Sequence, residues 1–174
     1  MKAGDSIKFL TGLAFASLFR LVPMPLPNLE PIMATTLPFA KKMGPLAGLL
    51  FALAALVSWD FISGRLGMWT LYTGIAYAAV GYYAGKFFAE RKLGMKNRLG
   101  FALAATLFYD AVTALAFGWQ FGQPLAVTVL GQIPFTAYHL LGNTIAVAVL
   151  TPLIDFYLVE NKALDVFAAR AVTP

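Results

Sequence analysis

From residue 6 to residue 158 the chain is a succession of apolar runs, at roughly 6–22, 31–42, 44–62, 69–89, 99–117 and 130–158, each bounded by charges, Pro or Gly. Runs of this kind constrain the fold more than any motif does. With 60% of its 174 residues hydrophobic, 12% charged and a mean hydropathy of +0.74, the chain cannot cover itself with polar surface as a water-soluble domain would. Lipid is the solvent that fits, and long uncharged runs then read as spanning helices. The expected architecture is an all-α membrane protein: one domain, 1–174, with a bundle of six transmembrane helices. The run 31–42 is too short to cross a ~30 Å hydrocarbon layer upright, so it is tilted, completed by the loop before it, or re-entrant. The last run exceeds one span, and Gly131 and Pro134 predict a break near its outer end.

Cysteine is absent and histidine occurs once, which excludes disulfides, thiolate centres and multi-histidine metal sites. No metal and no cofactor is expected. The net charge of +5 is spread between apolar runs, as a topology signal is, and not gathered into a nucleic-acid surface. Lys41 and Lys42 follow the second run, Arg91, Lys92, Lys96 and Arg98 follow the fourth, and Lys2, Lys8, Lys162 and Arg170 mark the two ends. The alternate loops hold only Arg20 and Arg65. By the positive-inside rule both termini are cytoplasmic and the loops at 23–30, 62–68 and 118–123 are external. The first run is expected to be a retained helix and not a cleaved signal.

A repeat at an offset of 50 residues links 41–81 with 91–131: FALAALVSWD returns as FALAATLFYD, KKMG as RKLG, Trp69 as Trp119 and Gly81 as Gly131. Chance in an alphabet dominated by Ala, Leu and Phe accounts for the pentapeptide match. A parallel duplication, known among transporters, accounts for the aligned Asp60 and Asp110 as well.

Asp110, His139 and Asn143 lie well inside apolar runs. Asp110 is ~16 Å from the start of its run, and His139 and Asn143 enter from the other side to a comparable depth. An intramembrane carboxylate costs about 2.5–3.5 kcal/mol on insertion scales, so such groups face the bundle interior or a wet cavity. The i, i+4 spacing of His139 and Asn143 puts both on one helix face, which must look inward. That face serves either as hydrogen-bonded glue between helices or as part of a ligand site.

The external stretch PMPLPNLEP, 23–31, has four prolines in nine residues and presents Asn28 and Glu30; it is a stiff connector or a lid over a cavity. Trp59, Trp69, Tyr72, Tyr109, Trp119 and Phe121 fall near outward helix ends, as an interfacial belt does. Trp59 and Tyr109 also precede Asp60 and Asp110, and aromatic walls with few polar groups suit flat heterocycles. On the first run Gly12 and Ala16, with Ala14 between them, form a small-residue groove for internal packing or for another membrane subunit. No P-loop, H-E-x-x-H or G-x-S-x-G motif occurs and no nucleophile accompanies the His–Asp pair, so an enzyme is not expected.

The external LPNLEP, the stretch GPLAGLLFALAALVSWDFISG…GMWTLYTG and IPFTAYHLLGN near the end resemble the substrate-binding S components of energy-coupling factor (ECF) transporters, over nearly the whole chain. The resemblance implies a subunit in a prokaryotic plasma membrane that captures a vitamin or related micronutrient at high affinity. It then implies partnership with an ECF transmembrane scaffold subunit and two ATPase subunits, which would account for the absence of any ATP motif. In that family the first helix contacts the scaffold through Ala-xxx-Ala; the corresponding residues are Gly12, Ala14 and Ala16. For uptake of a small planar or heterocyclic nutrient, the residues themselves point to a site with Asp110, His139 and Asn143 as its floor, Trp59, Asp60, Trp69 and Tyr109 as its walls, and Asn28 and Glu30 as its lid. A self-sufficient proton-coupled transporter using Asp110 and His139 as a relay is the alternative. The sequence leaves the nutrient itself open.

Overall fold

The computed structural model describes residues 3–22 and 29–165, and Asn28, one of the expected lid residues, lies outside them. Six α-helices occur among the described residues: α1 (Ala3–Phe19), α2 (Pro31–Met43), α3 (Pro45–Ile62), α4 (Met68–Phe88), α5 (Met95–Gln120) and α6 (Leu125–Ile154), followed by one π-helical turn, Asp155–Val159. No strand is found among them. Three helical stretches are long and apolar enough to cross a membrane: Pro45–Ile62, Met95–Gln120 and Leu125–Asp165.

The short second run is the centre of the molecule. All ten residues from Pro31 to Ala40 are buried, and α2 packs against α1, α3, α4 and α6. Its 13 residues span ~20 Å, and a helix wrapped by protein needs no lipid-matched length. Thr35 and Thr36 bury their hydroxyls by donating to the carbonyls of Pro31 and Ile32 (2.8 and 2.7 Å), so neither needs a partner on another helix. Around α2 the neighbours run in sequence, α1 beside α3, α3 beside α4, α4 beside α5 and α5 beside α6, and the π-turn returns to α1.

The tightest of these contacts is a glycine seam. A Cβ on Gly48 of α3 would collide with the carbonyl of Gly81 on α4, a Cβ on Gly81 with that of Gly48, and one on Gly85 with the backbone of Pro45. Gly81 and Gly85 form a GxxxG pair, which lets the two backbones touch and gain dispersion contacts along the seam. The small residues of α1 work in the same way, but inward. Gly12 faces the rings of Phe39 and Phe51, which stack at 4.6 Å, and Ala16 is buried; only Ala14 points out, on a stripe with Leu10 and Leu18. Gly12 and Ala16 thus face into the protein, Gly12 against Phe39 and Phe51 of the same chain.

Both α3 and α5 end in the same turn. Gly64 and Gly122 take positive φ (68° and 62°), and the following amides of Arg65 and Gln123 donate back to the carbonyls of Asp60 and Gly118, each at 2.8 Å. With an offset of 50 the stop at Gly64 would fall on Ala114, yet α5 continues to Gln120. Trp69 accordingly begins α4 while Trp119 lies in the last turn of α5. Helix α6 runs unbroken through Gly131 and Pro134, correcting the expected break: Pro134 removes a single backbone bond and the helix continues past it.

The starts of α1 and α3, the ends of α2 and α4 and the turn after α6 share one end of the bundle, which also carries Lys41, Lys42, Arg91 and Lys92. Lys8 is not a free interfacial charge there. It is buried, donates to the carbonyl of Val159 (3.0 Å) and pairs with Asp165 (2.8 Å), while Lys42 pairs with Glu160 (2.9 Å).

Candidate functional site

Helices α5 and α6 are antiparallel neighbours, so polar residues one turn apart on each can meet in register. Two such rungs form. His139 Nδ1 lies 2.6 Å from Asp110 Oδ1, and the Asn143 amide donates to Thr106 Oγ1 at 2.9 Å. His139, Asp110, Asn143 and Thr106 are all buried, Asp110 and Asn143 to 1% exposure. Each rung leaves one acceptor without a donor, Asp110 Oδ2 and Asn143 Oδ1. A buried polar atom without a partner is uncommon enough to need a physical explanation.

Aromatic rings continue the first rung across the bundle. The Tyr109 ring is 5.5 Å from His139 and 4.5 Å from Tyr77, and the Tyr77 hydroxyl lies 3.4 Å from Glu30. Glu30 accepts from Arg20 at 2.8 Å, and the Arg20 guanidinium covers the Trp59 ring at 4.7 Å. Five of the expected residues, Glu30, Trp59, Tyr109, Asp110 and His139, thus belong to one chain of contacts that crosses from α1 to α6, and Asn143 stands one turn along α6.

Two expected wall residues are elsewhere. Asp60 accepts from Thr70 at 2.7 Å, and Thr70 in turn accepts from the Gly67 amide that opens α4. Its carboxylate fixes the α3–α4 turn and does not reach the rungs. Trp69 packs edge-on against Phe117 at 5.4 Å and borders a cleft of about 380 Å³ between α5 and α6. Phe117, Phe135, Thr113, Gln132 and Gly131 complete its lining. The cleft sits beside the first rung: Thr113 donates to the carbonyl of Tyr109 (2.8 Å), and the Phe135 ring is 5.5 Å from His139. The expected floor residues form a buried polar seam, and this cleft lies one turn further along, towards the end that carries Trp69.

Thr106, Tyr77 and Arg20 join the site without being expected there. The spacing of Thr106 and Asp110, i and i+4, mirrors that of His139 and Asn143 and is the signal in the sequence that points to it. Arg20, at a helix end, reads as a topology charge, and Tyr77 has no polar neighbour in sequence. Among the described residues no group of three or more His, Cys, Asp or Glu is placed to hold a metal ion.

No family model matches the chain, and no curated protein or solved structure matches it.

Proposed function

We propose that this chain is an integral membrane protein of six transmembrane helices with both termini cytoplasmic, and that it captures a small heterocyclic micronutrient as the S component of an ECF-type transporter. A separate scaffold subunit and two ATPases would complete the machine. The observation that carries the reading is the pair of rungs between α5 and α6, with Asp110 Oδ2 and Asn143 Oδ1 each buried without a donor. Structural glue would satisfy its own acceptors, whereas a binding site holds acceptors for a guest. Three long apolar helices and the gathering of basic loops at one end support the membrane setting. A scaffold helix would meet α1 on its outward Leu10, Ala14 and Leu18 stripe.

The test is mass spectrometry of the small molecule that co-purifies with the protein, repeated on Asp110→Ala and Asn143→Ala. Loss of the molecule from both variants, with helix content retained in detergent, is expected; full retention in both would return the rungs to a packing role. Direct contact between Asp110 and His139 favours one other reading, a proton-coupled transporter acting alone. Uptake by liposomes that hold only this chain, driven by a pH gradient, would establish that alternative.

A further inference from the structure

Every side chain that lines the 380 Å³ cleft between α5 and α6 is uncharged: Trp69, Phe117 and Phe135 give it aromatic walls, and Thr113 and Gln132 give it polarity. Asp110 lies one turn along α5 from Thr113, but it is enclosed to 1% exposure and held by His139, so its charge is not offered to the cleft. An ion entering here would exchange water for a lining without a countercharge, a loss that bonds to neutral groups do not recover.

The polarity of the lining is balanced between donors and acceptors. Gln132 spends one of its two amide N–H groups on Thr136 at 3.2 Å and keeps the other, together with its carbonyl oxygen. The Trp69 indole N–H meets no protein acceptor among the described residues. The Thr113 hydroxyl, having given its proton to the Tyr109 carbonyl at 2.8 Å, keeps acceptor capacity. A neutral amide or lactam carries the matching pair, an N–H beside a C=O, and satisfies both kinds of group without bringing in a charge. Aromatic walls favour a flat guest, and the volume falls in the ordinary range for a small-molecule site.

We propose that the cleft between α5 and α6 binds a neutral planar ring with an amide or lactam edge, which pairs with Gln132 while Trp69, Phe117 and Phe135 enclose the ring. The proposal rests on the capture reading above for its biological role and narrows the ligand to uncharged heterocyclic amides. Carboxylates, phosphates and fixed cations are selected against.

Benzamide, benzoate and benzamidine provide the test, being planar and near-isosteric but neutral, anionic and cationic at neutral pH. Calorimetric titration of each into the purified full chain in detergent should show saturable binding of benzamide, at least about tenfold tighter than that of either ion. Gly131→Leu should weaken benzamide by at least about tenfold with the thermal midpoint preserved, because a Cβ at Gly131 meets nothing within 4 Å and the longer side chain fills the cleft. Partition of benzamide into the micelle neither saturates nor responds to that substitution. Gln132→Glu keeps the shape of the side chain and adds a charge, so it should bring benzamidine above benzamide. Binding of either ion as tight as that of benzamide, no saturable benzamide binding, indifference to Gly131→Leu, or an unchanged ranking in Gln132→Glu would each overturn the proposal. A co-purifying molecule that is charged, or that is retained by Gly131→Leu but lost from Asp110→Ala, would also overturn it, while leaving the capture reading standing.

Discussion

Asp110 and His139 illustrate how a buried pair can be costly to break yet contribute little as a pair. Removing one partner strands the other in a medium that cannot solvate it, so His139→Leu is expected to destabilise the protein by about 3–5 kcal/mol. Replacing both, as Asp110→Leu with His139→Leu, removes the stranded charge and should cost clearly less than His139→Leu alone. Reversible unfolding of the three variants in detergent measures the difference; a double variant less stable than the single one would mean that the contact is not what makes His139 necessary. The Thr106–Asn143 rung is neutral, and a single interhelical hydrogen bond of its kind contributes about 0.6 kcal/mol. How far these residues are legible in sequence follows from the same physics. Asp110, His139 and Asn143 stand out because lipid gives such groups no partner. Thr106 does not, since a helical threonine can bond its own backbone, as Thr35, Thr36, Thr73 and Thr113 do. Asp60 misleads for the opposite reason: its partner, Thr70, lies across a turn, where a carboxylate has local work to do.

At the scale of helices, the prolines and glycines carry most of the specification. Arg98 donates at 3.1 Å to the Ala148 carbonyl, which Pro152 leaves without its helical donor, so the two residues should couple. Arg98→Met is expected to cost about 1–3 kcal/mol in the natural chain and less in the Pro152→Ala background, where the new amide at position 152 can itself donate to the Ala148 carbonyl. Equal costs in both backgrounds, read from a double-mutant cycle, would show that Arg98 acts elsewhere. The glycine seam gives a second contrast. Gly81→Ala places a Cβ against the Gly48 backbone and should destabilise by about 1–3 kcal/mol. Gly100→Ala, on an exposed part of α5 with open space at its Cβ, should stabilise by about 0.5–1 kcal/mol. Thermal unfolding of the two variants side by side decides it, and equal behaviour would deny the seam its role. Apolar runs locate all six helices, but their ends depend on turns that hydropathy does not register. The Gly122 turn extends α5 to Gln120, and a proline that reads as a break is tolerated inside α6. The GxxxG pair on α4 is hidden in the sequence because its intervening tyrosines make GYYAG look like part of an aromatic belt.

For the molecule as a whole, the arrangement of α1, α3, α4, α5 and α6 around a short α2 explains why that helix can be both too short to span and the most deeply buried. Its neighbours, and not its own length, insulate its backbone. The same arrangement leaves two chemically different ends: Lys41, Lys42, Arg91 and Lys92 at one, and Trp69, Arg65 and the cleft at the other. Positive charge is retained on the cytoplasmic side, so the proposed orientation turns the cleft outward, as capture from the exterior demands. A chain without cysteine makes this directly measurable. Single cysteines replacing Arg65, Lys92 and Gln123, all exposed, introduce one thiol each on a silent background. In intact cells a membrane-impermeant maleimide should label Arg65→Cys and Gln123→Cys, whereas Lys92→Cys should react only after lysis. The inverse pattern would put the cleft in the cytoplasm and remove the basis for capture from outside, whatever the α5–α6 rungs bind.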